Sequence, residues 1–409
     1  MTTLRIALRN YADFENALKE EARLFEAVNA GIFVELIPLR IQDLYRAAIT
    51  DGGLLNGQFD LALLVTDWLG ECVAAGAVED LQPWHHHRPI AQWPTGWSPT
   101  LVRPLLFGKT LSSLPWHDGP ECLVYRSDLF ADPNRRAAFR SLHGRDLTPP
   151  STWDEFEAVA RFFTEPESNL YGTAFAGHPD GHNTLYDFVL QTWSRGGDLI
   201  NAEAIPQLFS PESIQALDFY RATVRNPTLC HPRSPNLDST QSGDIFLAGE
   251  VAMMTNWFGF ASRASLPESP LAGKVAIAPV PCEKGCGPVS LSVFWVLAMA
   301  SGSRHKALAW DFLRFVSAPD RDLGITHHGA VGARLSTWRN PELRARVPVY
   351  AQLEALSMRA RTLPAGPSMA ALASIVDGIM TRALRTVDPT ATILQEAQQE
   401  IERSHLRLL

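Results

Sequence analysis

The segment "TLRIALRNYADFENALKEEARLFEAVNAGIFVELIPL", residues 3–39, decides the fold. Apolar Leu4, Ile6 and Leu8 alternate with polar or small residues, the period of a strand. From Asp13 onward the apolar positions Phe14, Leu18, Ala22 and Phe25 recur at three and four, the spacing of an amphipathic helix, and Gly31 closes it. "IFVELIPL" (32–39) is a second strand. A polar helix containing "DLYRAAI" (43–49) follows, then a third strand, "FDLALLV" (59–65), and a helix that opens at Asp67. Strand, helix, strand, helix, strand is the order that builds a parallel sheet covered on both faces. The fold class is therefore α/β. At the end of the third strand stand Thr66, Asp67 and Trp68. In open α/β sheets ligands bind outside the carboxyl ends of the strands, so these three are candidate contacts.

Beyond this region the chain bounds its own class. Its 409 residues exceed the ~250–300 at which single cores tend to split, so two domains are expected. A hydrophobic content of 46% and a charged content of 20% describe a soluble globular protein. The net charge of −8, without a dense Lys/Arg cluster, argues against a nucleic-acid surface. The longest nearly apolar run, "VSLSVFWVLAMA" (289–300), is shorter than the ~20 residues of a membrane-spanning helix and reads as a buried strand.

A Pro/Trp/His-rich interval at 82–104 breaks the opening rhythm, and extended segments follow it. "STWDEFEAVARFFT" (151–164) reads as a helix with Ser151 or Thr152 as its N-cap. "YGTAFAG" (171–177) reads as a strand. Helices are expected at "TLYDFVLQTWSRGG" (184–197), "PESIQALDFYRATVR" (211–225), "SRHKALAWDFLRFVS" (303–317) and "TATILQEAQQEIERSHL" (390–406).

Catalytic signatures are missing. The chain holds no G-x-S-x-G, no G-x-x-x-x-G-K-[ST], no H-E-x-x-H, and no G-x-G-x-x-G between a strand and a helix. His85-His86-His87 and His327-His328 are consecutive, so their side chains diverge and read as loop histidines, not as a metal site. No cofactor or metal is expected. Of five cysteines, Cys72 and Cys122 read as core residues, whereas Cys282 and Cys286 in "PCEKGCGP" could close a small disulfide loop in an oxidising compartment. The eleven tryptophans carry the clearest signal. Trp153, Trp193 and Trp310 lie on amphipathic helices and read as core. Trp68, Trp116, Trp257 and Trp295 stand at element ends, where they suit either a seam between domains or a cleft that stacks apolar sugar faces while nearby polar groups bond the hydroxyls.

Taken in order, several segments resemble the extracellular solute-binding proteins of the carbohydrate ABC-importer family, the group that includes maltose-binding protein. They are "FDLALLVTDWLGECVAAGAVEDLQPW" (59–84), "SSLPWHDGPECLVYRSDLF" (112–130), "PSTWDEFEAVARFFT" (150–164), "FLAGEVAMMTNWFG" (246–259), 275–320 and "TRALRTVDPTATILQEAQQEIE" (381–402). The resemblance implies a two-lobed periplasmic-binding-protein fold (type II) with lobes discontinuous in sequence. Residues 1–115 plus 290–328 would form the N-terminal lobe, and 118–289 plus 329–409 the C-terminal lobe. Chain crossings would fall near 114–119, 289–293 and 327–332, with the ligand in the cleft and closure by hinge bending.

Carried over position by position, the resemblance places ligand contacts at Asn10, Tyr11 and Asp13, and at Thr66, Asp67 and Trp68. It adds Trp116, His117 and Asp118 at the first crossing, Asn256 and Trp257 on the second lobe, and Arg334 behind the last crossing. The loop "AGHPDGHNT" (176–184) adds His182 or Asn183. Where the family usually has paired glycines this chain has Val293-Phe294-Trp295, so Trp295 lines a site smaller than one for an oligosaccharide. The implied function is non-catalytic binding of a carbohydrate, polyol or sugar acid by a monomer that delivers it to an ABC importer permease. An enzyme on the same scaffold, using Asp67, His117 and Asp118, and a cytoplasmic ligand sensor are the alternatives. The family's periplasmic location carries the expectation of an export signal, which these residues do not contain.

Overall fold

The computed structural model describes residues 2–408. Among them, eight strands of four residues or more frame the fold: β1 (Thr2–Arg9), β2 (Ile32–Leu39), β3 (Leu61–Val65), β4 (Leu114–His117), β5 (Glu121–Arg126), β6 (Met253–Trp257), β7 (Val275–Ala278) and β8 (Trp295–Met299). Eight helices have eleven residues or more: α1 (Ala12–Val28), α2 (Pro133–His143), α3 (Trp153–Phe163), α4 (Asn183–Trp193), α5 (Pro211–Val224), α6 (Lys306–Val316), α7 (Met369–Arg385) and α8 (Thr390–Ser404). None of the helices described is long and apolar enough to cross a membrane. The elements pack as two compact units. One comprises the chain up to Gly119, Ser292–Ala345 and Thr362–Met369; the other comprises Pro120–Leu291, Arg346–Arg361 and the chain from Ala370.

In the first unit five strands lie in the order β2-β1-β3-β8-β4. β1 runs parallel to β2 from Thr2 opposite Ile32 to Arg9 opposite Leu39, and parallel to β3 on its other side. Every residue of β3 is buried, as the continuous run Leu-Ala-Leu-Leu-Val requires of a central strand. β2 is one edge: Phe33, Glu35 and Pro38 are exposed, and Pro38 has no N–H to give to a neighbour. α1 presents Phe14, Ala17, Leu18, Ala22 and Phe25 to the core. After it the chain turns at Gly31, whose φ of 82° lies in the left-handed region open to glycine.

In the second unit β5 is central, with β6 and β7 antiparallel on either side. The α3 helix starts at Thr152, whose side chain accepts from the Glu155 N–H, while Ser151 donates to the Glu155 carboxylate. α4 is buried along its whole length. α8 is tied to α5 where the Thr390 hydroxyl donates to Asp218 at 2.7 Å. The expected strand at 171–177 is reduced to single bridges, Tyr171 with Val251 and Thr173 with Cys230. Gly172 presses its backbone onto α3, where a Cβ would lie 2.0 Å from the Ala160 carbonyl oxygen, so no regular strand runs through it.

The third expected crossing moves. Residues 329–345, assigned above to the second lobe, pack in the first unit because Arg334 anchors them there. Its guanidinium donates to the carbonyl oxygens of Ser317 (2.7 Å) and Ala91 (2.7 Å) and to Gln92 (3.0 Å), and stands 4.0 Å over the Trp97 ring. Asp322 gathers the same segment by accepting from the Ala333 and Arg334 backbone N–H groups and the Thr337 hydroxyl. Arg334 is 0% exposed, so the ligand contact that the resemblance assigned to it is corrected: its donors serve the core.

Just before Gly119, where the first unit's opening segment ends, Asp118 is fully buried. Its Oδ1 accepts from Ser292, the first residue of the returning segment, at 3.4 Å, and Oδ2 has no partner among the described residues. Burial pushes its carboxyl up to about 7, against the pull of the Gly119 N–H and Ser292.

Two outcomes follow from this packing. Arg334→Ala should lower unfolding free energy by ~3 kcal/mol or more, because it leaves the Ser317 and Ala91 carbonyls and Gln92 without their buried charged donor and opens a cavity beside Trp97; urea unfolding within 0.5 kcal/mol of wild type, roughly a neutral surface change, would reject the anchor. For Asp118 the folded chain holds a proton that the unfolded chain releases near its ordinary value of 3.8. Stability from this group is therefore full below about pH 4 and declines as pH rises toward 7. Asp118→Asn should show a melting-temperature difference from wild type that grows across that window and is then constant. A difference independent of pH would show that Asp118 does not titrate there.

Candidate functional site

The first unit brings most of the expected residues to one sheet edge. β1, β3 and β4 end there, and β8, running the other way, begins there: Trp295 stands opposite both Val65 and His117. Asn10 and Tyr11, the turn Thr66–Trp68, Trp116, His117 and Trp295 therefore share this edge by register alone. The turn is fixed because the Thr66 N–H donates to the Phe294 carbonyl (3.1 Å) and Thr66 Oγ1 accepts from the Phe294 N–H (3.3 Å).

Aromatic rings build the edge. Phe14, from the first turn of α1, meets Tyr11, Trp116, His117 and Trp295 at centroid distances of 5.1, 5.2, 4.7 and 5.4 Å. Trp68 lies edge-on between Tyr45 (5.3 Å) and Trp295 (6.4 Å). The Arg9 guanidinium stands 5.9 Å from the Tyr11 ring and 5.8 Å from Trp295. Polar groups are set among them. Tyr11 donates its hydroxyl to Asp13 at 2.9 Å, and the Asp13 carboxylate lies against Gly329, where a Cβ would approach it to 2.7 Å. Asp67 is buried beside Trp68. Phe14, Arg9 and Tyr45 were not foreseen as part of the site; Phe14, the first apolar position of the α1 stripe and just after the Tyr11 cap, was the one that spacing could have indicated.

His117 is held neutral. Its Nδ1 accepts from the Val331 N–H at 2.8 Å, which places the ring proton on Nε2. Burial first, and the charge of Arg9 second, push its pKa down to about 3. It can offer a ligand an N–H donor, and its affinity for a proton is too low for acid–base exchange near neutrality. Its neighbour Asp118 is directed to Ser292, so the edge presents no His117–Asp118 couple.

The second unit has its own aromatic face. Trp257 ends β6 opposite Glu121, and its ring meets Tyr186 of α4 edge-on at 5.4 Å. The Tyr186 hydroxyl lies 2.7 Å from His182 Nδ1. Asp180 accepts from the His182 and Asn183 N–H groups, and Asp377 accepts from the Gly181 N–H and the Thr184 hydroxyl, so the loop entering α4 is fixed from both sides. Asn256 is turned inward. Its amide donates to Ser239 O and Ser242 Oγ while its Oδ1 accepts from the Trp257 N–H, so it supports Trp257, and the contact role expected of it is corrected.

Next to this face Glu121 and Asp187 are buried within range of each other's charge. Burial, and for Glu121 the charge of Asp187, raise the Glu121 carboxyl well above its ordinary value; burial pushes Asp187 up to about 8. Neither acid, nor Tyr186, was singled out from the sequence. Among the described residues no group of three or more His, Cys, Asp or Glu side chains could hold a metal ion.

Residues 10–321 match the family model described as bacterial extracellular solute-binding protein. A Brucella abortus protein named as a candidate binding protein is 25% identical over 305 residues, 74% of this chain and 68% of that one. An ABC transporter solute-binding protein from Agrobacterium radiobacter, in complex with ribitol, superposes with a TM-score of 0.87 at 22% identity, covering 98% of each chain. Maltose-bound MalE3 from T. maritima superposes at 0.85 and 22% identity, covering 98% of this chain and 99% of that one. The fold is thus that of the two-lobed, MalE-like proteins. With about three quarters of its length matched by the family model, the chain belongs to the bacterial extracellular solute-binding proteins.

Proposed function

We propose that this protein binds one small polyhydroxylated ligand, a monosaccharide or polyol, without altering it, and delivers it as a monomer to an ABC importer permease outside the cytoplasm. The observation that carries the reading is the edge of the first sheet. Tyr11, Trp68 and Trp295 supply apolar ring surface, and Asp13, Asp67 and the His117 Nε2–H supply acceptors and a donor within the same few residues. Sugars and polyols present that mixture of C–H faces and hydroxyls. Trp257, with Tyr186 and His182, gives a second set of the same kind in the other unit.

Bulk at the first edge supports a short ligand. Phe294 and Trp295 are buried where open backbone would admit a longer chain, and Trp68 is packed against Trp295. A ribitol-sized molecule suits this better than a maltose-sized one. The inward direction of Asp118 and the neutral His117 support binding over catalysis.

A thermal-shift series of pentitols, hexitols, monosaccharides and maltose should give its largest stabilisation with one of the smaller compounds, recovered unchanged. Trp68→Ala and Trp257→Ala should each weaken binding of that compound by at least about tenfold. If both variants keep wild-type affinity, the two faces are not the ligand contacts; chemical turnover of the compound would favour an enzyme instead.

A further inference from the structure

The second unit contains a thiol pair that the binding reading does not use. Cys282 and Cys286 flank a tight turn in which the Cys286 N–H donates to the Glu283 carbonyl at 2.9 Å, with Gly285 at a φ of 93°. Both are free thiols, and the turn folds them together: Cys282 Sγ lies 3.2 Å from the Cys286 carbonyl oxygen. The two differ in access, since Cys282 is buried and Cys286 is partly exposed.

The turn is a junction. The Cys282 N–H donates to Ser151 O at 3.0 Å, beside the Thr152 cap of α3, and the Glu283 N–H donates to Ser194 O at 2.8 Å, at the end of α4. Cys286 Sγ lies over Gly196, where a Cβ would stand 3.4 Å from it. The five residues 282–286 thus hold the start of one helix and the end of another, and the second helix carries Tyr186 of the aromatic face.

We propose that Cys282 and Cys286 form a disulfide that locks this turn when the protein meets a disulfide oxidant, either a glutathione-type small molecule or a protein disulfide. The Cys286 thiolate, the more accessible, attacks one sulfur of the oxidant, whose other sulfur leaves as a thiol. Cys282 then attacks Cys286 and displaces the remaining half, so two protein thiols are oxidised and one disulfide is reduced to two thiols. Cys282 resists acting first, because burial, then Cys286 and Glu283, raise its pKa. Cys72, Cys122 and Cys230 are buried apart and stay reduced.

The test uses the whole protein in glutathione buffers, followed by denaturation, alkylation and intact mass measurement. Reduced protein should take up five alkyl groups and oxidised protein three, with no glutathione retained. Cys282→Ser should instead keep one glutathione on Cys286, and Cys286→Ser should keep none. Closing so short a loop should raise the melting temperature by about 2–5 °C over the reduced form, a shift absent from both variants. Five alkyl groups after exposure to oxidised glutathione, or a stable glutathione adduct on wild type, would overturn the pair. A closed bond with an unchanged melting temperature would overturn the lock.

Discussion

One strand crossing organises the first unit. β8, drawn from residues 295–299, is inserted antiparallel between β3 and β4 and pairs with both. Without it the parallel strands from the chain's beginning would end at an unpaired edge, which in sheets is an invitation to the wrong partner. With it, the sheet acquires a strand whose beginning meets its neighbours' ends. That reversal is why Trp295, Trp68 and His117, separated by up to 227 positions in sequence numbering, arrive at one place, and why the unit must be discontinuous.

Much of this was legible in the sequence where chemistry is local. The alternation of Leu4, Ile6 and Leu8, the stripe from Phe14 to Phe25 and the run at 61–65 are periodic signals, and the elements stand where the periods put them. Trp68, just past β3, and Trp257, at the end of β6, stood out because an indole at an element's end has no local reason to be there. The failures are non-local. Arg334 looked like a polar ligand contact, yet its partners Ala91 and Gln92 are more than 240 residues away, and no pattern around Arg334 announces them. Asn256 likewise looked available until its amide was seen to be engaged by Ser239 and Ser242. The position of residues 329–345 followed the same hidden anchor.

Desolvation is the second property that residue order does not reveal. Asp118 read as a ligand contact and Glu121 and Asp187 drew no reading, but each is buried and carries an oxygen without a hydrogen-bond donor among the described residues. A buried carboxylate without enough donors retains its proton, so these acids act as neutral groups at pH values where their exposed counterparts are charged. The aromatic face of the second unit is thus less negative than counting its acids suggests. His117 obeys the same rule with the opposite sign, losing its charge where burial and Arg9 disfavour it.

The inserted strand also sets a timetable. During synthesis at roughly 5–20 residues per second, the ribosome needs on the order of 15–60 seconds to add the first ~300 residues. From the synthesis of residues 61–65 until residue 299 is added, β3 exists without β8, its partner on one side, and the completed sheet must bring together segments more than 200 residues apart. Such long-range closure is slow compared with helix or hairpin formation. The first sheet can therefore be completed only after residues 295–299 have been made, when the chain between its paired strands already exists in full.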